Sequence, residues 1–167
     1  VKPRRFKPSK AASWARPMPL RLLGFQACTN LTDLRPLRGM KLEQLSFYTT
    51  YLTDLNPLQG MPLTQLNIIN GLNLSDISPL RGMPLTHLYI IHGKITDISP
   101  LQGMPLTFFD IAGIQVRDIS VLRGMKLTHL GLAVTPVTDF SPIKGMPLTS
   151  LFLNQTRFSD MSLLQDM

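Results

Sequence analysis

A single cysteine, Cys28, stands among 167 residues, so no intramolecular disulfide can form and nothing marks an oxidising compartment. No apolar run approaches the 18 or so residues of a membrane span. The first 16 residues lack the apolar centre of a secretory leader, so no targeting peptide is recognisable. Three Asn-x-Ser/Thr sequons, at Asn30, Asn73 and Asn154, matter only in a host that glycosylates secreted chains. In a chain this rich in Asn and Thr they read as coincidence. The compartment is left open, with the cytoplasm favoured.

Charge is also scarce. Charged residues make up 16% against 44% hydrophobic ones, which suits one domain burying a continuous core. Acidic residues are missing altogether from residues 1 to 16, which hold Lys2, Arg4, Arg5, Lys7, Lys10 and Arg16. That stretch supplies +6 of the net +7, leaving 11 basic and 10 acidic residues elsewhere. The rest of the chain therefore has no general affinity for phosphate. With its two prolines, the stretch is expected to be an extended or disordered basic arm, a linker or a segment draped on RNA, anionic lipid or an acidic protein.

What the chain has in abundance is repetition. Aligned on Gly-Met, units begin at Pro17, Gly39, Gly60, Gly82, Gly103, Gly124 and Gly145, at spacings of 22, 21, 22, 21, 21 and 21 residues. Residues 17 to 167 thus divide into seven repeats of 21–23 residues. Met18, Met40, Met61, Met83, Met104, Met125 and Met146 form one column, and Asp33, Asp54, Asp76, Asp97, Asp118, Asp139 and Asp160 another. A period in this range marks a solenoid, propeller or array.

One unit, Gly82 to Gln102, shows what each does. Alternation over Leu88, Tyr89, Ile90 and Ile91 predicts a short strand with Leu88 and Ile90 on one face and His87, Tyr89 and Ile91 on the other. A strand so short gains stability only by pairing with its copies, as parallel strands about 4.8 Å apart. Ser99-Pro100 then predicts a turn start, with Ser capping and Pro at the first helical position. Gly103 follows so soon that only a single 3₁₀ turn fits. Gly103 ends that turn in the left-handed conformation, and Pro105 holds Met104 extended toward the next strand. The Asp column is read as accepting backbone N–H groups of the turn rather than binding cations.

The pattern carried by Leu127, Leu130, Leu132, Thr135, Val137, Asp139, Phe140, Pro142 and Ile143 resembles the leucine-rich repeat, and more narrowly the internalin-like short repeats of bacteria. The phrase "DLSPLKGMPLT", nearly spelled by Asp76 to Thr86 and Asp97 to Thr107, is similar to tandem repeats of planctomycete and related bacterial proteins. The resemblance implies an α/β-type right-handed superhelix, with parallel strands on the concave face, short 3₁₀ turns on the convex side and little or no α-helix. Where many members place a laddering Asn, this chain has Cys28, Thr50, Thr135 and Thr156, which can donate to a neighbouring backbone, and Gly93 and Ile114, which cannot. A break in the ladder is expected at those two.

The resemblance also implies that strand residues alternating with the core leucines line the concave face. One column then reads Leu22, Gln44, Gln65, His87, Phe108, His129 and Ser150; a second Gly24, Ser46, Asn67, Tyr89, Asp110, Gly131 and Phe152; a third Gln26, Tyr48, Ile69, Ile91, Ala112, Ala133 and Asn154. His87, Tyr89, Phe108, Asp110 and His129 are expected to cluster, with Tyr48 and Phe152 nearby. Aromatic residues on a rigid sheet give a partner large contact area at small entropic cost, so these seven are the candidate binding residues.

Catalysis and metal binding are not expected. His87 and His129 fall two strands apart, roughly 10 Å by strand spacing, too far to share a zinc ion readily. No Ser or Cys nucleophile has a paired His, and no cofactor motif is present. The chain begins with Val1 and stops at "LLQDM" in place of a further Gln-Gly-Met, which reads as part of a longer array or a last unit resting on a partner. The function expected is a protein-interaction module. The alternative is a structural subunit of a larger assembly anchored by Lys2, Arg4, Arg5, Lys7 and Lys10 and by the array ends.

Overall fold

The computed structural model describes residues 19–28, 30–48, 51–165 and 167. Seven strands form one parallel sheet in chain order: β1 (Leu22–Gln26), β2 (Gln44–Tyr48), β3 (Gln65–Ile69), β4 (His87–Ile91), β5 (Phe108–Asp110), β6 (His129–Gly131) and β7 (Ser150–Phe152). Each strand is followed by a single 3₁₀ turn, Ser99–Leu101 after β4 for instance, and no α-helix occurs among the described residues. This is a leucine-rich repeat solenoid. The basic arm, residues 1 to 16, lies outside the described residues, as do Thr50 and Met18.

Strands pair only with those of adjacent units, in unbroken register: Leu23, Leu45, Leu66, Leu88, Phe109, Leu130 and Leu151 lie side by side. Within one repeat, Leu85, Leu88, Ile90, Ile95, Ile98 and Leu101 are all buried. Stacking of such faces makes one continuous core running the length of the array. A single strand would expose its backbone and half its apolar surface; the array removes both penalties together.

The Asp column does what a short acidic side chain before a turn should do. In all seven units one carboxylate oxygen accepts the backbone N–H two residues on, at 2.7–2.9 Å. The N–H groups of Ser120 and Ser141 hold Asp118 and Asp139 below the usual carboxylate range, and the Ser162 hydroxyl, followed by its N–H, does the same for Asp160. The expected serine cap is corrected by this geometry. Ser99 begins the turn and its hydroxyl donates back to Asp97 at 2.9 Å, so the carboxylate takes the role assigned to serine. Turn ends follow the expectation: Gly103 has φ +73 and the Met104 N–H returns to the Leu101 carbonyl.

The threonine of the corner phrase has a function of its own. The Thr86 hydroxyl donates to the Thr64 carbonyl, Thr107 to Thr86, Thr128 to Thr107 and Thr149 to Thr128, at 3.0–3.3 Å. These bonds clamp each strand entry to the preceding one. By contrast, the hydroxyls and thiol described at the Asn position bond within their own repeats rather than between units. Thr135 donates to Leu132 O at 2.6 Å and Thr156 to Leu153 O at 2.7 Å, each within its own repeat, because the chain curls back over the hydroxyl there. Cys28 likewise reaches only Gln26 O, at 3.5 Å, and is half-buried rather than a core residue. At Gly93 a Cβ would stand 3.3 Å from the Leu74 carbonyl, so the smallest residue lets adjacent units close together. Strands shorten from five residues to three between β4 and β5, beside Gly93 and Ile114.

After six of the seven strands the chain enters the left-handed region, at Ala27, Asn70, His92, Gly113, Val134 and Gln155, with φ between 52 and 70. That bend turns the chain off the sheet, and only one of these six positions has the glycine that would have signalled it.

Candidate partner-binding surface

The strand registers carry the two main expected columns across the sheet. Leu22, Gln44, Gln65, His87, Phe108, His129 and Ser150 stand in line, and so do Gly24, Ser46, Asn67, Tyr89, Asp110, Gly131 and Phe152. Their neighbours Leu88, Ile90, Phe109 and Leu130 point into the core, so alternation sends these residues to the opposite face.

On that face five rings form a run. His87 and Phe108 stack at 5.7 Å, Phe108 and His129 at 3.9 Å and 6° from parallel, and His129 meets Phe152 at 5.2 Å. Tyr89 tilts against Phe108 at 6.2 Å. The rings shield one another: Tyr89, Phe108 and His129 are half-buried, while Tyr48 and Phe152 remain 39% and 48% exposed. Stacking thus withdraws part of Tyr89 and Phe108 from water, because aromatic side chains on adjacent parallel strands stand close enough to stack.

Next to this run is a depression of about 340 Å³ lined by Tyr48, Gln65, Asn67, Ile69, His87, Tyr89 and Phe108. Asn67 donates its amide to the Ser46 hydroxyl at 3.0 Å, fixing one wall. Gln65, Asn67 and Ile69 were not among the seven candidates. Their columns placed them here, but a search for aromatic and charged residues passed them by.

Asp110 is the most unusual group. Its carboxylate lies across the backbone of Gly131, in the space a Cβ there would need. Its Oδ1 and the His129 Nε2 are both buried without a hydrogen-bond partner, and the His129 Nε2 to Asp110 Oδ2 separation, 3.8 Å, is too long for a bond. Burial pushes the Asp110 carboxyl above the ordinary range, against the opposing pull of His129. Burial also raises the Tyr89 phenol, with the Asp110 charge adding to it. His87 and His129 lie on β4 and β6 with β5 between them, and among the described residues no three metal-capable side chains converge.

A second cavity, about 710 Å³, lies on the flank between the corners Gln102–Thr107 and Ser120–Lys126. It is lined by the corner residues common to every unit, with Val121 in the place of the usual proline, and it gathers no cluster of reactive side chains.

No protein-family model matches the chain, and no curated protein matches it. Solved structures do. Internalin C2 of Listeria monocytogenes is 30% identical with a TM-score of 0.76, over 81% of this chain and 62% of its own. An internalin, inlF, of the same organism is 25% identical with a TM-score of 0.58, over 87% of this chain and 58% of its own. The chain therefore spans about three fifths of each.

Proposed function

We propose that this internalin-like leucine-rich repeat solenoid is a protein-interaction module that binds its partner through the concave, ring-bearing face of its sheet. The observation that carries the reading is the stacked run His87–Phe108–His129–Phe152 beside a depression walled by Tyr48 and Tyr89. A repeat array holds these side chains on seven paired strands, so little ordering remains to be done on binding. Phe152 and Tyr48 offer apolar area at the edges of the patch, and Gln65, Asn67 and His87 supply donors and acceptors that fix orientation. This is a surface for recognition rather than for catalysis or a cofactor. We read the likeness of Asp97–Thr107 to planctomycete tandem repeats as a further pointer to bacterial relatives.

The experiment is capture of partners from the chain's own cells. Phe108→Ala and Tyr89→Ala are expected to weaken capture by about 10-fold each, from loss of roughly 1–2 kcal/mol at a binding centre, with the circular dichroism spectrum unchanged. Deletion of residues 1 to 16 is expected to leave capture in place. The reverse pattern, with loss on deletion and steep weakening by salt, would identify the arm as the anchor and favour a structural subunit on an anionic partner.

A further inference from the structure

The binding face carries one formal charge in its three columns, and that charge is Asp110. It is held under unfavourable conditions: the side chain is 15% exposed, its Oδ1 is unpaired, the Ala112 N–H and His129 only partly offset its burial, and among the described residues no lysine or arginine pairs with it. A fold that leaves a carboxylate largely desolvated, with one oxygen unpaired and no cation beside it, loses stability by doing so, whereas asparagine would fit the same space. Groups kept at such a disadvantage on a recognition surface point to function.

The surroundings define what would satisfy it. Tyr89 stands beside Asp110 on β4 and Phe152 beyond Gly131 on β7, so two rings flank the carboxylate across the sheet. Gly131 has no side chain of its own, and the Asp110 carboxylate occupies the space above it, so a ligand reaches both oxygens only once that side chain swings out. A carboxylate framed by aromatic faces fits a planar cation: the guanidinium stacks on a ring and forks onto both oxygens. Metal ions are a poorer match, for among the described residues no third metal-capable side chain joins Asp110 and His129.

We infer that the concave face recognises an arginine side chain of its protein partner, seated on Asp110 between Tyr89 and Phe152. Rotation of the Asp110 side chain out of the Gly131 slot brings both carboxylate oxygens to the guanidinium. The groups facing it are His129, Tyr89 and the backbone N–H of Ala112. Protonation of Asp110 itself removes the attraction, so binding weakens in acid. This inference rests on the concave-face reading above and adds the chemistry of the ligand to it.

The test is selection of a random 12-residue peptide library on the intact chain. Selected peptides are expected to share an arginine. Replacing that arginine by citrulline, which is neutral and of the same shape, is expected to weaken binding about 10- to 100-fold, the range for a charge-assisted bond. On Asp110→Asn the arginine and citrulline forms are expected to bind alike. Phe108→Ala serves as the control for the face itself. Peptides blocked by Phe108→Ala that share no basic residue, or whose arginine matters equally on Asp110→Asn, overturn the arginine assignment while leaving the face in place. Peptides indifferent to both substitutions overturn the concave-face reading as well. A library that yields no enriched peptide counts against the arginine assignment.

Discussion

Replacing Asp110 by asparagine is expected to make the free protein more stable, which few substitutions do. The wild-type side chain is 15% exposed, with Oδ1 buried and unpaired, and the His129 Nε2 beside it is unpaired as well. Asparagine removes the buried charge and brings an amide N–H toward that imidazole nitrogen, 3.8 Å from Oδ2 in the wild type. An unsatisfied buried polar group is worth about 1–3 kcal/mol, and the residual exposure of Asp110 places the gain near the lower end, about 1 kcal/mol. For a domain of this length that is about 2–4 °C in Tm. The sign with pH follows from the raised Asp110 pKa. A carboxyl that holds its proton more tightly folded than unfolded disfavours the folded state above the folded pKa, and the penalty disappears as pH falls below the unfolded pKa. The advantage of the variant is therefore full at neutral pH and closes through the carboxylate range. Asp118, Asp139 and Asp160 have lowered pKa values and destabilise both proteins alike in acid, so they cancel in the difference. Thermal unfolding followed by circular dichroism at pH 7 and pH 4 measures this. A variant about 1 kcal/mol less stable at pH 7, or a gap that widens in acid, would show that the native carboxylate is well satisfied and would refute the argument.

Two further substitutions test the fold. Phe109 is fully buried in β5 at the centre of the array, so Phe109→Ala is expected to cost about 3–5 kcal/mol, read as a fall in the urea midpoint. Val134 is a β-branched residue at φ +57 and half exposed, so Val134→Asn is expected to stabilise by about 1 kcal/mol; an unchanged or lowered midpoint would place no strain there.

Much of this architecture was legible because seven copies leave the register no freedom. Once Leu88, Leu130 and their counterparts define a core column, the concave columns follow by alternation, and His87, Phe108 and His129 must lie side by side. Gly103 and Pro100 fixed the turn for local steric reasons that a sequence displays openly. The missed features all involve where a side chain goes once neighbouring repeats are in place. The Thr86 hydroxyl bonds a carbonyl 22 residues away, and a threonine has no visible reason to prefer that over its own turn. Asn70, His92 and Val134 take the left-handed bend that glycine would have announced. Asp110 leans into a slot opened by Gly131, one strand over, and so becomes largely withdrawn from solvent. Ring stacking withdraws Phe108 from water in the same way.

A partner seated on the ring-bearing face lies within reach of position 89 and out of reach of the turn side. A photoreactive benzoylphenylalanine placed at Tyr89, and in a second protein at the exposed Gln102 on the turn side, would be irradiated in the chain's own cells. A crosslinked product from position 89 and none from position 102 is the result expected. A product from position 102 alone would move the interface to the other side of the solenoid and contradict the account.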